Sequence, residues 1–205
     1  AAVVLPGALG ASPRAVPWVA IAVAVATGLG AALTRPSLPV AATWLRATAG
    51  VVCAVTGAAG LAGSLATRTS TITALGVLAA GGLATALLGR DPLVRAVAWV
   101  VAGACGLALP LTAAVAAGAA LRSAIFGMLI ACAVLVLLAW GLARGERYAD
   151  ASVMEAVAAL GAVTAVALAY GSVRHVAAAL TICGLMLGLA ALRNDREPEQ
   201  RMWLV

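Results

Sequence analysis

The segment Arg68–Trp99, RTSTITALGVLAAGGLATALLGRDPLVRAVAW, decides the fold of this chain. Arg68 and Arg90 enclose an uncharged, mostly apolar run, and the two arginines are 22 residues apart (68 to 90). A helix of about 20 apolar residues crosses the roughly 30 Å hydrocarbon core of a bilayer. Backbone groups in lipid must be bonded within the segment, so this run is predicted to be a helix. Asp91 and Pro92 then open a second apolar run, which predicts two membrane-crossing helices joined by a short turn.

The composition of the whole chain agrees with a membrane location. Of its 205 residues, 64% are hydrophobic and only 10% are charged, and the mean hydropathy is +1.11. Soluble proteins carry about 25% charged residues. The net charge of +6 comes from arginines that stand singly at the ends of apolar runs. That placement is typical of membrane topology and not of a nucleic-acid surface, so the expected partner is the lipid bilayer and no nucleic acid.

Outward from Arg68–Trp99, the same pattern predicts an all-α integral membrane protein with about seven transmembrane helices. Arg35, Arg90 and Arg144 are 55 and 54 residues apart (35 to 90, 90 to 144). Such a period indicates a two-helix hairpin repeated in tandem. Residues 1–205 then form a single transmembrane helical domain, and we expect it to be part of a longer repetitive protein. The predicted spans cover residues 15–34, 40–66, 70–88, 93–117, 123–143, 151–170 and 175–192.

Tryptophans recur at a fixed distance after the arginines of this repeat. Trp44 follows Arg35 by nine residues, and Trp99 follows Arg90 by nine. Trp203 follows the next such arginine by ten (193 to 203). Tryptophan is enriched at both membrane–water interfaces, so these three side chains are predicted to be interfacial anchors.

The arginines also predict the orientation of the chain. The connections fall into two alternating sets, and one set carries only Arg14, Arg68, Arg122 and Arg174. The other nine arginines lie in or beside the second set, which includes the turns near residues 90 and 145. Loops rich in arginine stay in the cytoplasm, so the second set is predicted to be cytoplasmic.

Two arginines within the predicted spans are candidates for substrate binding. Arg46 and Arg95 lie inside the second and fourth spans, close to the tryptophans described above. Near an interface, an arginine can extend its charged end to the headgroups while its stem stays in the hydrocarbon. The alternative is that Arg46 and Arg95 line a cavity that binds an anionic headgroup or substrate.

Glu155 is the only acid inside a predicted span and is the third candidate for substrate binding. Ser152 precedes it by three residues, and Ser-x-x-Glu is the pattern of a capping box at a helix start. A structural capping role is therefore one interpretation. A substrate or proton site is a second, because ionisable groups inside membranes are often functional. An interfacial ion pair with Arg144 or Arg147 is a third.

Other residues predict packing rather than chemistry. Pro110 lies within the fourth span and is predicted to kink that helix. Gly184 and Gly188 form a GxxxG pattern, and small residues let membrane helices approach closely. Gly-rich helix faces are thus the expected contact surface for other membrane subunits. Each of the four cysteines lies in an apolar run, and none forms a CxxC pair. No metal site, cofactor or catalytic residue is predicted.

The hairpin pattern resembles a known group of proteins. The stretches that carry it run from Arg90-Asp91-Pro92 to Trp99 and from Arg193 to Trp203. They are similar to the large, repetitive multi-span membrane proteins of actinobacteria that are often labelled permease-like. The resemblance implies a multi-pass protein of the bacterial inner (plasma) membrane and a transport function. The unit at Arg144 lacks both the proline and the tryptophan.

Three classes of function follow from these observations. The first is a multi-pass permease or transporter-like protein that handles a lipid or apolar substrate, since buried charge for ion coupling is scarce. The second is a structural or assembly subunit of a membrane or cell-envelope complex, which would dock through Gly-rich helix faces. The third is a membrane-embedded enzyme, whose catalytic residues would lie outside these 205 residues.

Overall fold

A computed structural model describes residues 15–33, 57, 60 and 68–192 of the chain. Within these ranges the protein contains six α-helices and no β-strand. They are α1 (Val16–Leu33), α2 (Arg68–Leu88), α3 (Pro92–Ala116), α4 (Leu121–Arg144), α5 (Tyr148–Leu168) and α6 (Val173–Ala191). All six are long and apolar enough to cross a bilayer. For the described residues, the prediction of an all-α chain with several helices of membrane-spanning length is therefore confirmed.

Each of the six helices coincides with a predicted span to within three residues at either end. The largest difference is at α5, which begins at Tyr148 and not at residue 151. The remaining predicted span, 40–66, lies mostly outside the described residues, although Gly57 and Gly60 within it are helical. The count of seven helices and the repeat of hairpins therefore stay predictions.

Arginines mark the ends of the described helices as the sequence predicts. Arg68 is the first residue of α2, and Arg144 is the last residue of α4. Arg122 and Arg174 are the second residues of α4 and α6. Arg90 lies two residues after the end of α2. The connections at 89–91, 117–120, 145–147 and 169–172 are short, so the described residues from 68 onward consist almost entirely of helices.

Two neighbouring residues, Asp91 and Pro92, determine where α3 begins. Pro92 is the first helical residue, where its missing N–H removes no helical hydrogen bond. The Oδ1 atom of Asp91 accepts hydrogen bonds from the backbone N–H groups of Leu93 (2.9 Å) and Val94 (3.3 Å). Asp91 therefore caps the helix and satisfies donors that would otherwise face lipid or headgroups unpaired.

Residues 1–105 and 106–205 form two compact units, and the boundary falls within α3. In the first unit, α1 packs against α2 at a glycine. A Cβ added at Gly81 would lie only 2.8 Å from a methyl carbon of Val25. A Cβ added at Gly60 would lie 2.6 Å from Ile21 and 2.9 Å from the carbonyl oxygen of Pro17. These close approaches confirm that small residues allow dense helix packing here.

In the second unit, α4, α5 and α6 pack against one another, and the contact between α4 and α5 is the most extensive. Gly161 of α5 is one of the residues at which this packing is close. A Cβ there would lie 2.7 Å from Leu107 Cδ1 and 2.8 Å from Cys132 Sγ. Gly184 and Gly188 behave differently, because nothing described lies within 4 Å of a Cβ built at either position. Among the described residues, no neighbouring helix therefore packs closely against the Cβ positions of this GxxxG pair.

Candidate functional site

Glu155 lies well inside a helix, and the predicted capping box is wrong. The helix α5 begins at Tyr148, with Arg147 at its N-cap position and no side-chain cap. Ser152 is the fifth residue of α5, and its hydroxyl donates a hydrogen bond to the carbonyl oxygen of Tyr148 at 3.0 Å. Because Glu155 is the eighth residue, it lies about 10 Å along the helix axis from Tyr148. The Ser-x-x-Glu pattern is thus a coincidence of spacing within a continuous helix.

Glu155 lines a cavity in the second unit. The cavity has a volume of about 100 Å³ and is formed where α4, α5 and α6 meet. The Oε1 atom of Glu155 is buried. The other described side chains that line the cavity are apolar or aromatic: Val136, Leu137 and Trp140 from α4, and Leu189, Ala190 and Leu192 from α6 and the residue after it. Glu155 is therefore the ionisable side chain among the described residues that line the cavity.

Trp140 connects this cavity to the end of α4. The guanidinium carbon Cζ of Arg144 lies 3.8 Å from the centroid of the Trp140 ring. The two residues are one helical turn apart, so the stacking is local to α4. A guanidinium over an indole ring is attracted by the negative face of the ring. The contact places a positive charge beside one of the side chains that line the cavity.

A buried ion pair lies just before Glu155 on the same helix. The Nε atom of Arg147 donates to Oδ2 of Asp150 at 2.7 Å. Asp150 is 1% exposed, whereas the side chain of Arg147 keeps 27% of its surface accessible. Asp150 is not among the candidates predicted from sequence because it precedes the predicted span at 151–170, although its i, i+3 spacing from Arg147 is visible in the sequence.

Arg95, the second described candidate, lies near the beginning of α3. It is the fourth residue of the helix, within one turn of the cap at Asp91, and it is half-buried. Its Cγ packs where a side chain at Gly89 would be, 2.8 Å from a Cβ built there. This position favours an arginine stem packed on protein with its head near an interface. Arg46, the other arginine predicted to bind substrate, lies outside the described residues.

Pro110, which is predicted to kink its helix, lies inside α3 and packs against Gly127. The helix α3 continues through Pro110 to Ala116, so the proline does not end it. Pro110 provides no N–H for the carbonyl of Gly106 one turn earlier. Its ring packs against α4, because a Cβ built on Gly127 would lie 2.8 Å from Pro110 Cβ. Gly127 thus makes the space that the proline ring fills.

Trp99 is buried inside the first unit. Only 2% of its surface is exposed, and its Nε1 atom is buried and makes no hydrogen bond. An interfacial anchor would present its indole to the headgroups. The burial of Trp99 instead favours a packing role for this residue. The other two predicted anchors, Trp44 and Trp203, lie outside the described residues.

Comparison with known proteins adds no relative: no protein family, curated protein or solved structure matches this chain. The site at Glu155 must therefore be interpreted from its own chemistry. Of the three interpretations of Glu155 drawn from sequence, capping is excluded. Arg144 stacks on Trp140 and Arg147 contacts Asp150, and neither contact tests an ion pair with Glu155, which stays a prediction. A carboxyl group at the wall of a mostly apolar cavity, among three helices long enough to cross a bilayer, is the candidate site.

Proposed function

We propose that this chain belongs to a multi-pass permease or transporter-like protein of the bacterial inner membrane that handles a lipid or apolar substrate. The observation that carries the proposal is the cavity of about 100 Å³ among α4, α5 and α6, with Glu155 at its wall. Acids within membrane helices are costly, and they mark substrate and ion pathways. The apolar lining supports a substrate that is itself largely apolar.

The position of the cavity supports access from within the membrane. Its lining residues come from helices that are each long enough to cross the bilayer. Leu137 and Leu189 at its wall are also among the exposed large apolar side chains. In a membrane such side chains contact lipid tails, so a hydrophobic substrate reaches the cavity without crossing water. Arg95 and Arg46 are then proposed to interact with anionic headgroups at the interface.

The sequence repeat extends the proposal to the whole chain. Tandem hairpins of the same orientation are one of the ways in which transporters build two related halves. The turn at 145–147 then lies in the cytoplasm, and the turn at 117–120 lies on the other side of the membrane.

Lipid translocation by the purified full-length protein in liposomes tests the proposal. Fluorescent lipids in the inner leaflet become accessible to an impermeant quencher only if the protein moves them outward. We expect the wild-type protein to accelerate this exchange, and we expect Ala190→Leu to reduce it because leucine fills the cavity. Leu185→Ala is the matched control, since Leu185 is exposed on α6 and does not line the cavity. Exchange no faster than in protein-free liposomes would contradict lipid transport.

The alternative is a structural or assembly subunit of a membrane or cell-envelope complex. Gly184 and Gly188 support it, because no described atom lies within 4 Å of a Cβ built at either position. That surface of α6 is open to a helix of another subunit. Purification in mild detergent separates the two functions: a stable partner lost in Gly188→Leu favours assembly, whereas an active monomer favours transport.

A further inference from the structure

We propose that α3 contains a hinge at residues 106–110, and that the helical segment beyond it, residues 111–116, moves as α3 bends there. This segment is called the α3 arm below. The hinge is a conformational property of one helix, so it does not depend on the proposed transport function. It rests on the hydrogen bonds around Pro110, on the packing of two glycines, and on the burial of side chains along α3.

Two features alter the hydrogen bonds of α3 in the same stretch. Pro110 has no N–H, so it cannot donate to the carbonyl oxygen of Gly106 one turn earlier. The hydroxyl of Thr112 donates to the carbonyl oxygens of Ala108 and Leu109, each at 3.0 Å. A threonine hydroxyl bonded to the carbonyl four residues earlier often bends a helix. Proline and threonine therefore favour bending at the same place in α3.

Gly106 and Gly127 have opposite packing environments. No described atom lies within 4 Å of a Cβ built at Gly106, so packing there does not require a glycine. Gly106 instead gives the backbone of α3 more conformational freedom than another residue would. A Cβ built at Gly127 of α4 would lie 2.8 Å from Pro110 Cβ. The proline ring thus rests directly on α4, and we take this contact as the point about which α3 bends.

The buried side chains of α3 all lie before Pro110. Trp99, Cys105 and Leu107 are buried, with at most 8% of their surface exposed. None of residues 108–116 is buried, and Val115 is 60% exposed. Segments with few buried contacts move at a lower free-energy cost than the packed core. Packing therefore holds α3 before the hinge more firmly than it holds the α3 arm.

The turn at 117–120 leaves space for this movement. All four of its residues are exposed, and no described atom lies within 4 Å of a Cβ built at Gly118. Gly118 has a φ of 63°, which glycine adopts without steric cost. A bend of about 20° at Pro110 would move Ala116, which is about 9 Å further along the helix axis, by roughly 3 Å.

Distances between spin labels on the full-length protein in nanodiscs test the hinge, measured by double electron–electron resonance. The reporter pair is Val115→Cys on the α3 arm and Leu138→Cys on α4. The control pair is Leu138→Cys and Val163→Cys, because all three positions are exposed and α4 and α5 contain no proline. The four native cysteines are replaced by alanine. We expect the reporter distances to spread over a range wider than that of the control pair by about 3 Å.

Three substitutions relate this spread to the hinge. Pro110→Ala restores the missing N–H, so it should narrow the reporter distribution to the width of the control pair. Gly106→Ala reduces backbone freedom without filling occupied space, so it should narrow the distribution part of the way. Gly141→Ala is the matched control, because Gly141 lies on α4 and also has no described atom within 4 Å of its Cβ position. It should leave both distributions unchanged.

The outcomes separate the hinge from the proposed function. A reporter distribution as narrow as the control in the wild-type protein overturns the hinge, and so does equal width in wild type, Pro110→Ala and Gly106→Ala. Circular dichroism and gel filtration establish that each variant is folded. If Pro110→Ala does not fold, Gly106→Ala decides, since its methyl group meets no described atom. A hinge in a protein that moves no lipid in liposomes supports this inference and contradicts only lipid transport.

Discussion

The guanidinium of Arg144 lies 3.8 Å above the ring of Trp140, and that ring forms part of the wall of the Glu155 cavity. Arg144, at the end of α4, therefore contacts a side chain that lines the mostly apolar cavity among α4, α5 and α6. Cation–π contacts at exposed sites are worth about 0.5–1 kcal/mol. We expect Arg144→Gln to lower the thermal stability of the purified protein only slightly, by a few degrees at most. A large loss in a thermal melt would show that Arg144 has another structural role.

The ion pair between Arg147 and Asp150 should matter more for stability. Asp150 is almost fully buried, so replacing Arg147 would leave a carboxylate without this charged partner at 2.7 Å. Breaking a buried pair costs about 3–5 kcal/mol, and the partial exposure of Arg147 reduces this to about 1–3 kcal/mol. We expect Arg147→Ala to destabilise the protein by that amount in a denaturation experiment.

A double-mutant cycle isolates this pair from other effects. Arg147→Ala combined with Asp150→Ala should be less destabilising than the sum of the two single changes. Additive losses would contradict direct coupling between the two side chains. Arg122→Ala, which removes an arginine from the start of α4, is the control: combined with Asp150→Ala, its effect on stability should be additive.

Gly161 should tolerate no side chain. An added Cβ would lie 2.7 Å from Leu107 and 2.8 Å from Cys132, so Gly161→Ala forces neighbouring helices apart. Overpacking of this kind costs typically about 1–3 kcal/mol. Gly184→Ala is the matched control, because nothing described lies within 4 Å of its Cβ position and alanine favours the helix. Comparable melting temperatures for the two variants would contradict the packing described here.

The cap at Asp91 should depend on its side-chain oxygen. Its Oδ1 atom accepts two hydrogen bonds from the start of α3, and replacing an N-cap residue by alanine costs about 1 kcal/mol. We expect Asp91→Ala to reduce stability by about that amount and Asp91→Asn to retain most of it. An equal loss in both variants would mean that the charge of Asp91, and not its capping geometry, is what stabilises the turn.

Most of the fold was predictable from sequence because a bilayer imposes a length and a polarity on each helix. The arginines at positions 68, 90, 122 and 144 mark helix ends correctly, since a guanidinium is stable at an interface and costly between interfaces. The beginning of α3 followed from Asp91 and Pro92, whose roles depend only on local backbone geometry.

The candidate site was only partly predictable. Glu155 was singled out because an acid in an apolar run is rare, but its surroundings depend on Trp140 and Leu189, which are distant in sequence. The capping-box prediction failed because α5 begins at Tyr148, three residues before the predicted start at 151. Trp99 was assigned to the interface by its spacing, whereas its burial results from tertiary packing that spacing alone does not contain.

Labelling of two engineered cysteines from one side of the membrane tests whether α4 crosses the bilayer, as it must if the Glu155 cavity lies among membrane-spanning helices. Ala119→Cys and Gly145→Cys lie in the turns on either side of α4, and both positions are exposed. Each is introduced into a variant whose four native cysteines are replaced by alanine. We expect an impermeant maleimide to label Ala119→Cys in intact cells and Gly145→Cys only after permeabilisation. Labelling of both positions from the same side would show that α4 does not cross the membrane.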